Sequence, residues 1–333
     1  MQAIETAIQN NMYLAWLTLI ISFGVLAKCA DIFVDASVGL AKKFRIPRLV
    51  IGIVLVSLAT TAPELGVSLT AALDGKPEMA LGNAIGSVIC DDGLALALAG
   101  VFSAAPIAVM PAVLKTSGIF LVFIEILAFL FVAWDYSLQR HEGTVLVALF
   151  ISYMYLLFRL HKKGRLKDDL VIDNCPPAAS MHLPKLILLF VISLAGIAFA
   201  SEYIVTSATT IALSFRIPES VLSLTLVALG TSIPEVATCI TAARKNEGAV
   251  AVGNIIGADI MNICWVAGAS SLANDLTVGK KEIYFMFPSM FVIVGTMLIL
   301  LRIGYSLTRT KGIILFGLYC IYIASFFLLF PPC

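Results

Sequence analysis

Residues 230–235 of this chain read Gly-Thr-Ser-Ile-Pro-Glu, and residues 59–64 read Ala-Thr-Thr-Ala-Pro-Glu. Both stretches belong to a longer repeat, in which residues 28–93 recur as residues 199–264 with a constant offset of 171. The matching positions include proline, glutamate, asparagine and glycine, which an apolar composition alone would not align. Both copies carry the Pro-Glu step inside a long apolar run. A repeated, proline-broken, acid-bearing membrane segment is typical of the ion or substrate site of a transporter.

The composition is that of a chain with many membrane spans. Of its 333 residues, 60% are hydrophobic and 13% are charged, and the mean hydropathy is +1.00. Soluble domains of this length are far less apolar, so we expect a polytopic protein that lies in a lipid bilayer. The net charge of +1 argues against nucleic-acid binding. The cysteines show no metal-ligand spacing and no nucleophile–base set is visible, so the sequence predicts neither a cofactor nor an enzyme.

Ten apolar segments reach the roughly 17–25 residues that a spanning helix needs. The predicted fold class is therefore all-α, with ten transmembrane helices at residues 13–37, 49–73, 79–102, 116–134, 143–160, 185–212, 219–243, 249–272, 283–302 and 312–330. The longest polar stretch, residues 161–184, separates residues 1–160 with five spans from residues 185–333 with the other five.

The lysines and arginines between the spans predict the orientation. With the N-terminus outside, sixteen of them fall in loops on the inner side and five in loops on the outer side. The positive-inside rule then predicts both termini outside and a cytoplasmic loop at residues 161–184, in a plasma or inner membrane. Five spans is an odd number, so the second half enters the membrane from the opposite side. The sequence thus predicts an inverted repeat, whose two nearly equivalent packings would open to opposite sides.

Each Pro-Glu step supplies oxygen atoms at one depth of the membrane. Pro63 and Pro234 have no backbone N–H, which frees the carbonyl four residues earlier. A broken helix is tolerated in a membrane where it lines a cavity or is covered by protein. Carbonyl, hydroxyl and carboxylate oxygens suit a hard cation such as Ca²⁺, which takes about 6–8 of them. The candidate cation-binding residues are Thr60, Thr61, Glu64, Thr231, Ser232 and Glu235.

A second interpretation of each Pro-Glu step is a proline in the first turn of a helix, followed by a glutamate near its N-terminus. That pattern is ordinary in soluble proteins. Within a bilayer, however, a carboxylate costs at least ~2.5 kcal/mol. Two carboxylates at matched depth therefore favour a functional site.

A second block of the repeat reads Gly82-Asn83-x-x-Gly86 in the first copy and Gly253-Asn254-x-x-Gly257 in the second. Glycines four residues apart favour close packing of helices. The asparagines Asn83 and Asn254 are accessory candidates that would line the site.

Beyond this block the copies diverge, because Asp259 stands where the first copy has Val88. Asp91 and Asp92 follow Val88 by one helical turn, and with Ser87 they complete the accessory candidates. The other interpretation of the Asp-Asp pair is a local buried acid with hydroxyl or amide partners.

These motifs resemble the two alpha-repeats of the sodium/calcium exchanger family, within the cation/calcium antiporter superfamily. That family carries Gly-Thr-Ser-x-Pro-Glu followed by Gly-Asn-x-x-Gly-Ser-Asn/Asp. Residues 230–235 match the first pattern fully, and residues 59–64 are a close variant. Residues 253–259 match the second pattern except at Ala258. The resemblance covers essentially the whole chain, with an alpha-1 motif at residues 57–93 and an alpha-2 motif at residues 228–264.

The resemblance implies a secondary active antiporter that exchanges Ca²⁺ against Na⁺ by alternating access. It also implies four central side chains in a diamond, three of which are Glu64, Glu235 and Asp259. With Thr60 and Thr231, these three form the implied metal-binding set.

The fourth place of the diamond is normally an amide or an acid, and it falls here on the apolar Val88. Asp91 matches an acid found in some relatives, whereas Asp92 falls where an aliphatic residue is usual. This departure leaves the coupling ion open between sodium and protons. The alternative function is a proton-coupled transporter of calcium or another divalent cation, in which Asp91 and Asp92 would carry the protons.

Overall fold

A computed structural model describes residue 8 and residues 11–162, 181–214 and 229–330. Within these residues the chain is mostly helical, with short β-strands between some of the helices. The helices are α1 (Met12–Phe44), α2 (residues 48–60), α3 (Ala62–Leu73), α4 (Pro77–Phe102), α5 (Pro111–Asp135), α6 (Arg140–Lys162), α7 (Leu183–Ser214), α8 (Ile233–Arg244), α9 (Gly248–Ala273), α10 (Lys280–Arg302) and α11 (Arg309–Leu329).

Eight helices of the described part are long and apolar enough to cross a membrane, and α2 with α3 makes a ninth if the bent pair is one span. The chain is thus a helical membrane protein with several spans. The tenth predicted span, at residues 219–243, begins outside the described residues. Most of the predicted loop at residues 161–184 also lies outside them. At its edges, α6 runs on to Lys162 and α7 begins at Leu183.

The helices are longer than the spans predicted from hydropathy. α1 begins after Asn11, whose side chain accepts hydrogen bonds from the backbone N–H groups of Tyr13 and Leu14 at 3.0 and 3.2 Å. It ends only at Arg45, which adopts a left-handed conformation with φ of 54°. Hydropathy marks the apolar middle of a helix, whereas capping groups decide where it begins and ends.

The predicted break at the Pro-Glu step is present. α2 and α3 meet at Thr61 with a bend of 49°. Thr61 has φ −81° and ψ 0°, and its repeat mate Ser232, directly before α8, has φ −83° and ψ 1°. Each of these residues lies two positions before a proline, whose ring and missing N–H interrupt the helix. The two copies therefore turn in the same way at the same point.

Wide π-helical turns also follow the repeat. Residues Asp91–Leu96 of α4 and Asn262–Ala267 of α9 are π-helical and are related by the offset of 171. Further π-helical turns occur at Gly52–Val56 in α2 and at Leu114–Gly118 in α5. Such turns are rare and are frequent at functional sites. The matched pair begins at Asp91 and at Asn262.

The centre of the molecule is built from α4 and α9. In their most apolar stretches 78% and 89% of the residues are buried, against at most 39% in the other six straight spans. α2 approaches α9 closely because glycines face backbone on both sides. A Cβ on Gly52 would lie 2.7 Å from the carbonyl oxygen of Val250, and one on Gly257 would lie 2.5 Å from that of Ile53. Small residues allow this contact between helix backbones.

Two short β-ribbons tie the halves of the chain together. Ile107–Ala108 after α4 pairs antiparallel with Ser306–Leu307 after α10. Ser137–Leu138 after α5 pairs antiparallel with Leu276–Thr277 after α9. Each ribbon therefore joins a strand of the first half to a strand of the second.

α1 and α7 pack lengthwise against each other. The rings of Phe33 and Phe190 lie 4.7 Å apart, and a Cβ on Gly196 would meet the Cys29 sulfur at 2.5 Å. An ion cluster joins α1 to the end of α8, where the Lys245 ammonium lies 3.0 Å from Asp31 and 2.7 Å from Asp35. A second ion pair, Arg48 with Glu247 at 2.9 Å, joins α2 to the segment before α9.

Replacing Gly257 by alanine tests the close contact of α2 with α9. The added methyl group would overlap the Ile53 backbone, and overpacking of this kind costs ~1–3 kcal/mol. We expect a lower melting temperature in detergent. Gly317→Ala is the matched control, since no described atom lies within 4 Å of a Cβ there. Equal melting temperatures of the two variants would contradict the contact.

Candidate functional site

The two helix breaks are joined by a reciprocal pair of hydrogen bonds. The Thr60 hydroxyl donates to the Asn254 Oδ1 atom at 3.2 Å, and the Thr231 hydroxyl donates to the Asn83 Oδ1 atom at 3.2 Å. Residues 60 and 231 are repeat mates, and so are residues 83 and 254. Each break is therefore fixed to an asparagine of the opposite copy. The asparagines, predicted as accessory residues, connect the two copies at the level of the Pro-Glu steps.

The amide groups of these asparagines are held by their own copies. Asn83 Nδ2 donates to the Ser68 hydroxyl at 3.0 Å and to the Glu64 carbonyl oxygen at 3.3 Å. Asn254 Nδ2 lies 3.6 Å from the sulfur of Cys239, the repeat mate of Ser68. These contacts fix which way each amide points, so that its oxygen is turned towards the threonine of the other copy.

The hydroxyl of Thr60 has only acceptors as hydrogen-bond partners in the described structure. They are the carbonyl oxygens of Val56 and Ser57, at 3.1 and 3.4 Å, and the Asn254 side chain. A hydroxyl has a single proton, so Thr60 can offer only lone pairs to any further group. On the other side, the Thr231 hydroxyl also lies 3.5 Å from the Ser87 hydroxyl. Ser87, another accessory candidate, thus belongs to the same network.

Glu64 and Glu235 lie near each other at this level and are 0% and 1% exposed. Glu64 lies beside Thr231 and Glu235 lies beside Thr60, and none of the four carboxylate oxygens has a hydrogen-bond partner of ordinary geometry among the described residues. The buried hydroxyls of Thr61 and Ser232 have no hydrogen-bond partner there either. These four side chains are two pairs of repeat mates. Buried carboxylate oxygens without donors are strongly unfavourable unless a cation or a proton binds to them.

Asp91 and Asn262 form a third pair of repeat mates in this group. The Asn262 Nδ2 atom lies 3.4 Å from the Asp91 carboxylate, and both residues are at most 1% exposed. Asp91 is close enough to Glu64 and to Glu235 for mutual electrostatic repulsion. One oxygen of each, Asp91 Oδ1 and Asn262 Oδ1, accepts no hydrogen bond from any described group. The three pairs together form what we call the central group.

Asn262 is absent from the candidates drawn from the sequence. The motif match directs attention to Asp259 and its mate Val88, three residues earlier in each copy. The repeat with its offset of 171 already pairs Asn262 with Asp91, and this pairing was the available signal. Asp91 and Asn262 also begin the two matched π-helical turns.

Asp259 lies in a different group of acids. Its carboxylate interacts most strongly with Asp92, then with Asp91 and with Glu125 of α5. Asp92, Asp259 and Glu125 are at most 1% exposed, and each has at least one oxygen without a hydrogen-bond partner in the described structure. The side chain that hydrogen-bonds to Asp91 is Asn262, whereas Asp259 interacts mainly with Asp92. The predicted role of Asp259 as a cation ligand stays a prediction, as do those of the other candidates.

The side chains of the described residues do not form a ready-made metal centre from three or more acidic, histidine or cysteine groups. The described ion pairs, Arg48 with Glu247 and Lys245 with Asp31 and Asp35, involve none of the central carboxylates. The central group is thus rich in oxygen and carries uncompensated acidic groups. Carboxylates supplemented by hydroxyl, amide and carbonyl oxygens fit a hard cation that binds reversibly.

An apolar cavity of about 420 Å³ lies between the two proline breaks and α7. It is lined by Thr60, Pro63 and Pro234 at the breaks and by Leu194 and Ala198 of α7. α7 therefore covers the breaks without filling the space in front of them.

The chain is similar to known membrane proteins over nearly its whole length. The family model described as sodium/calcium exchanger protein matches residues 14–159 and 185–328. Sodium/calcium exchanger MaX1 of Methanosarcina acetivorans is 29% identical, over 94% of this chain and 98% of its own. Inner membrane protein YrbG of Escherichia coli is 34% identical, over 96% of this chain and 99% of its own. The solved structure of the sodium-calcium exchanger NCX_Mj superposes with a TM-score of 0.78 at 28% identity, over 94% of this chain and 98% of that one.

A double-mutant cycle tests the reciprocal hydrogen bonds. Combining Thr231→Val with Asn83→Leu removes both partners of one bond, so their effects on stability are expected to be non-additive by ~0.5–3 kcal/mol. Combining Thr231→Val with Asn254→Leu removes groups that are not bonded to each other and is expected to be additive. Melting temperatures in detergent give the comparison. Additivity in the first cycle would contradict the bond.

Proposed function

The chain belongs to the sodium/calcium exchanger family, and from that premise we propose that it is a secondary active antiporter that exchanges Ca²⁺ for Na⁺. Both ions are transported substrates. They bind in turn at the central group, which becomes accessible from one side of the membrane and then from the other. The exchangers MaX1 and NCX_Mj, to which the chain is similar, carry this activity in their names.

The single observation that carries this proposal is the set of buried oxygens at the two helix breaks. Glu64 with Glu235, Thr61 with Ser232 and Asp91 with Asn262 each leave oxygen atoms without a hydrogen-bond partner in the described structure. Burial of such an atom destabilises the folded protein, since the atom loses its hydration without gaining a hydrogen bond. A cation that binds between the two copies would supply the missing interaction to both at once.

We assign Ca²⁺ to Glu64 and Glu235, with further oxygens from Thr60, Thr61, Thr231 and Ser232. Asp91 and Asn262 would complete the group from α4 and α9. Sodium ions would bind to the same oxygens, each ion to some of them, so Ca²⁺ and Na⁺ could not occupy the group together. Competition for one acidic pocket makes the transport of one ion depend on the other. Asn83, Asn254 and Ser87 would keep the pocket in shape, and Asp259 would act from its border.

We further propose ten transmembrane helices in two inverted five-helix repeats, residues 1–160 and 185–333, joined by a cytoplasmic loop at residues 161–184. The β-ribbons support the inversion. Ile107–Ala108 and Leu276–Thr277 occupy corresponding places, after α4 in one repeat and after α9 in the other. Each pairs with the strand that comes one helix later in the other repeat, after α10 and after α5 respectively. In an inverted repeat these paired places lie on the same side of the membrane, whereas in two copies of the same direction they would lie on opposite sides. Both termini would lie outside, in a plasma or inner membrane.

Glu64→Gln and Glu235→Gln test the site. Each removes a charge that we assign to Ca²⁺, so sodium-driven uptake of ⁴⁵Ca²⁺ into proteoliposomes is expected to fall by about 30-fold or more, for a loss of ~2 kcal/mol. Glu78→Gln removes an exposed carboxylate from the start of α4 and serves as the control. Uptake by Glu64→Gln or Glu235→Gln at the control rate would rule out the assignment.

A specific observation favours a second candidate, a proton-coupled transporter of divalent cations. Asp92, Asp259 and Glu125 are three buried acids in one group, and none takes part in an ion pair of the described structure. Acids of this kind, set apart from the cation they accompany, are the usual proton carriers of membrane transporters.

The two candidates differ in the gradient that drives transport. For sodium exchange, Ca²⁺ uptake into proteoliposomes requires an outward sodium gradient and is unaffected by a protonophore that collapses the pH gradient. Glu125→Gln should then leave the sodium dependence unchanged. Ca²⁺ uptake that is independent of the sodium gradient, requires the pH gradient and is lost in Glu125→Gln would replace the first proposal by the second.

A further inference from the structure

A second cavity lies apart from the central group, in a groove between α5 and α10. Its volume is about 740 Å³. It shares no residue with the central group or with the cavity in front of α7. The lining residues are Pro111, Ala112, Leu114, Lys115, Gly118, Ile119, Val122, Leu298, Arg302 and Tyr305.

One end of this groove carries two positive charges from different helices. Lys115 stands near the start of α5 and Arg302 at the end of α10, and both are exposed. Among the described residues no carboxylate lies within ion-pair distance of either. The Arg302 guanidinium is held in place by Tyr305, whose hydroxyl lies 3.2 Å from Nη1. The pair is thus a positioned basic site that attracts a negative group.

The rest of the groove is apolar and points into the membrane. Ile119 and Val122 follow Lys115 by four and seven residues and are 63% and 36% exposed. At ~1.5 Å per residue they lie ~6 and ~10 Å further along the helix. The groove therefore has a basic end and an apolar side, as the ligand site of an amphiphile would. A water-soluble anion would use the basic end alone.

The backbone at this groove departs from the repeat. Leu114–Gly118 is a π-helical turn of α5, whereas α10, which follows the corresponding strand of the other copy, is α-helical throughout Lys280–Arg302. Gly118 lets the Leu298 side chain pack closely against α5, since a Cβ there would lie 3.1 Å from it. The wide turn itself is of a rare kind that is frequent at functional sites.

We propose that this groove binds a phospholipid with an anionic headgroup, its phosphate between Lys115 and Arg302 and an acyl chain along Ile119 and Val122. The charge of the two cations selects the anionic headgroup over a zwitterionic one. In the orientation predicted from the loop charges, this end faces the cytoplasm, where anionic lipids are enriched and basic pockets between helices bind them. The proposal does not depend on which ions the protein exchanges.

Native mass spectrometry of the detergent-purified chain, titrated with phosphatidylglycerol or with phosphatidylcholine, tests the proposal. The wild type is expected to bind phosphatidylglycerol more tightly. The double variant Lys115→Gln/Arg302→Gln should weaken that binding by about 30-fold, since each basic residue near the headgroup contributes about fivefold. Arg309→Gln, which removes an exposed charge at the same end but outside the groove, is the matched control.

Further variants test the proposal independently of the double variant. Lys115→Arg keeps the charge and should keep the binding, while Val122→Trp should fill the apolar side and reduce it even if the double variant does not fold. Equal binding of the two lipids, full binding by the double variant or by Val122→Trp, or an equal loss in Arg309→Gln would overturn the proposal. So would displacement of the lipid by inorganic phosphate, or a dimer of the chain in place of the lipid adduct.

Discussion

Two hydrogen bonds, from Thr60 to Asn254 and from Thr231 to Asn83, decide the geometry at the centre of this protein. Each one crosses from a proline break in one copy to a helix of the other. In each bond the threonine hydroxyl donates to an asparagine oxygen. Glu64 and Glu235 lie beside these threonines, and their carboxylate oxygens have no hydrogen-bond partner of ordinary geometry among the described residues. The same threonines therefore join the two copies and border an acidic pocket that requires a cation.

The rest of the architecture serves to keep this arrangement buried. Glycines on α2 and α9 bring the helix backbones close together, so that little space remains around the central group. α4 and α9 carry the π-helical turns that begin at Asp91 and Asn262, and the other spans surround them. The outer pair of α1 and α7 is attached at one end by the ion cluster of Lys245. The crossed threonine–asparagine bonds, by contrast, lie at the centre.

The two halves have corresponding helices but differ in the residues at several matched positions of the site. The mates Glu64 and Glu235 are identical, while Asp91 faces the amide of Asn262, and Asp92 and Asp259 correspond to aliphatic residues. An exact two-fold arrangement would place an acid at both positions and would increase the repulsion among buried charges. The asymmetry gives one side of the pocket more negative charge than the other. It also creates the separate group of Asp92, Asp259 and Glu125, which is the structural basis for considering protons as the coupling ion.

The sequence by itself determined that this is a helical membrane protein with a repeated Pro-Glu break, because apolar length, proline and a membrane-buried acid each have a strong and local physical consequence. It also placed Glu64, Glu235 and the neighbouring hydroxyls among the candidates. Only the tertiary structure decided that the Asn262 amide bonds to Asp91, and that Glu125 of another helix joins Asp259. Contacts between distant helices follow from packing, which residue spacing alone does not determine.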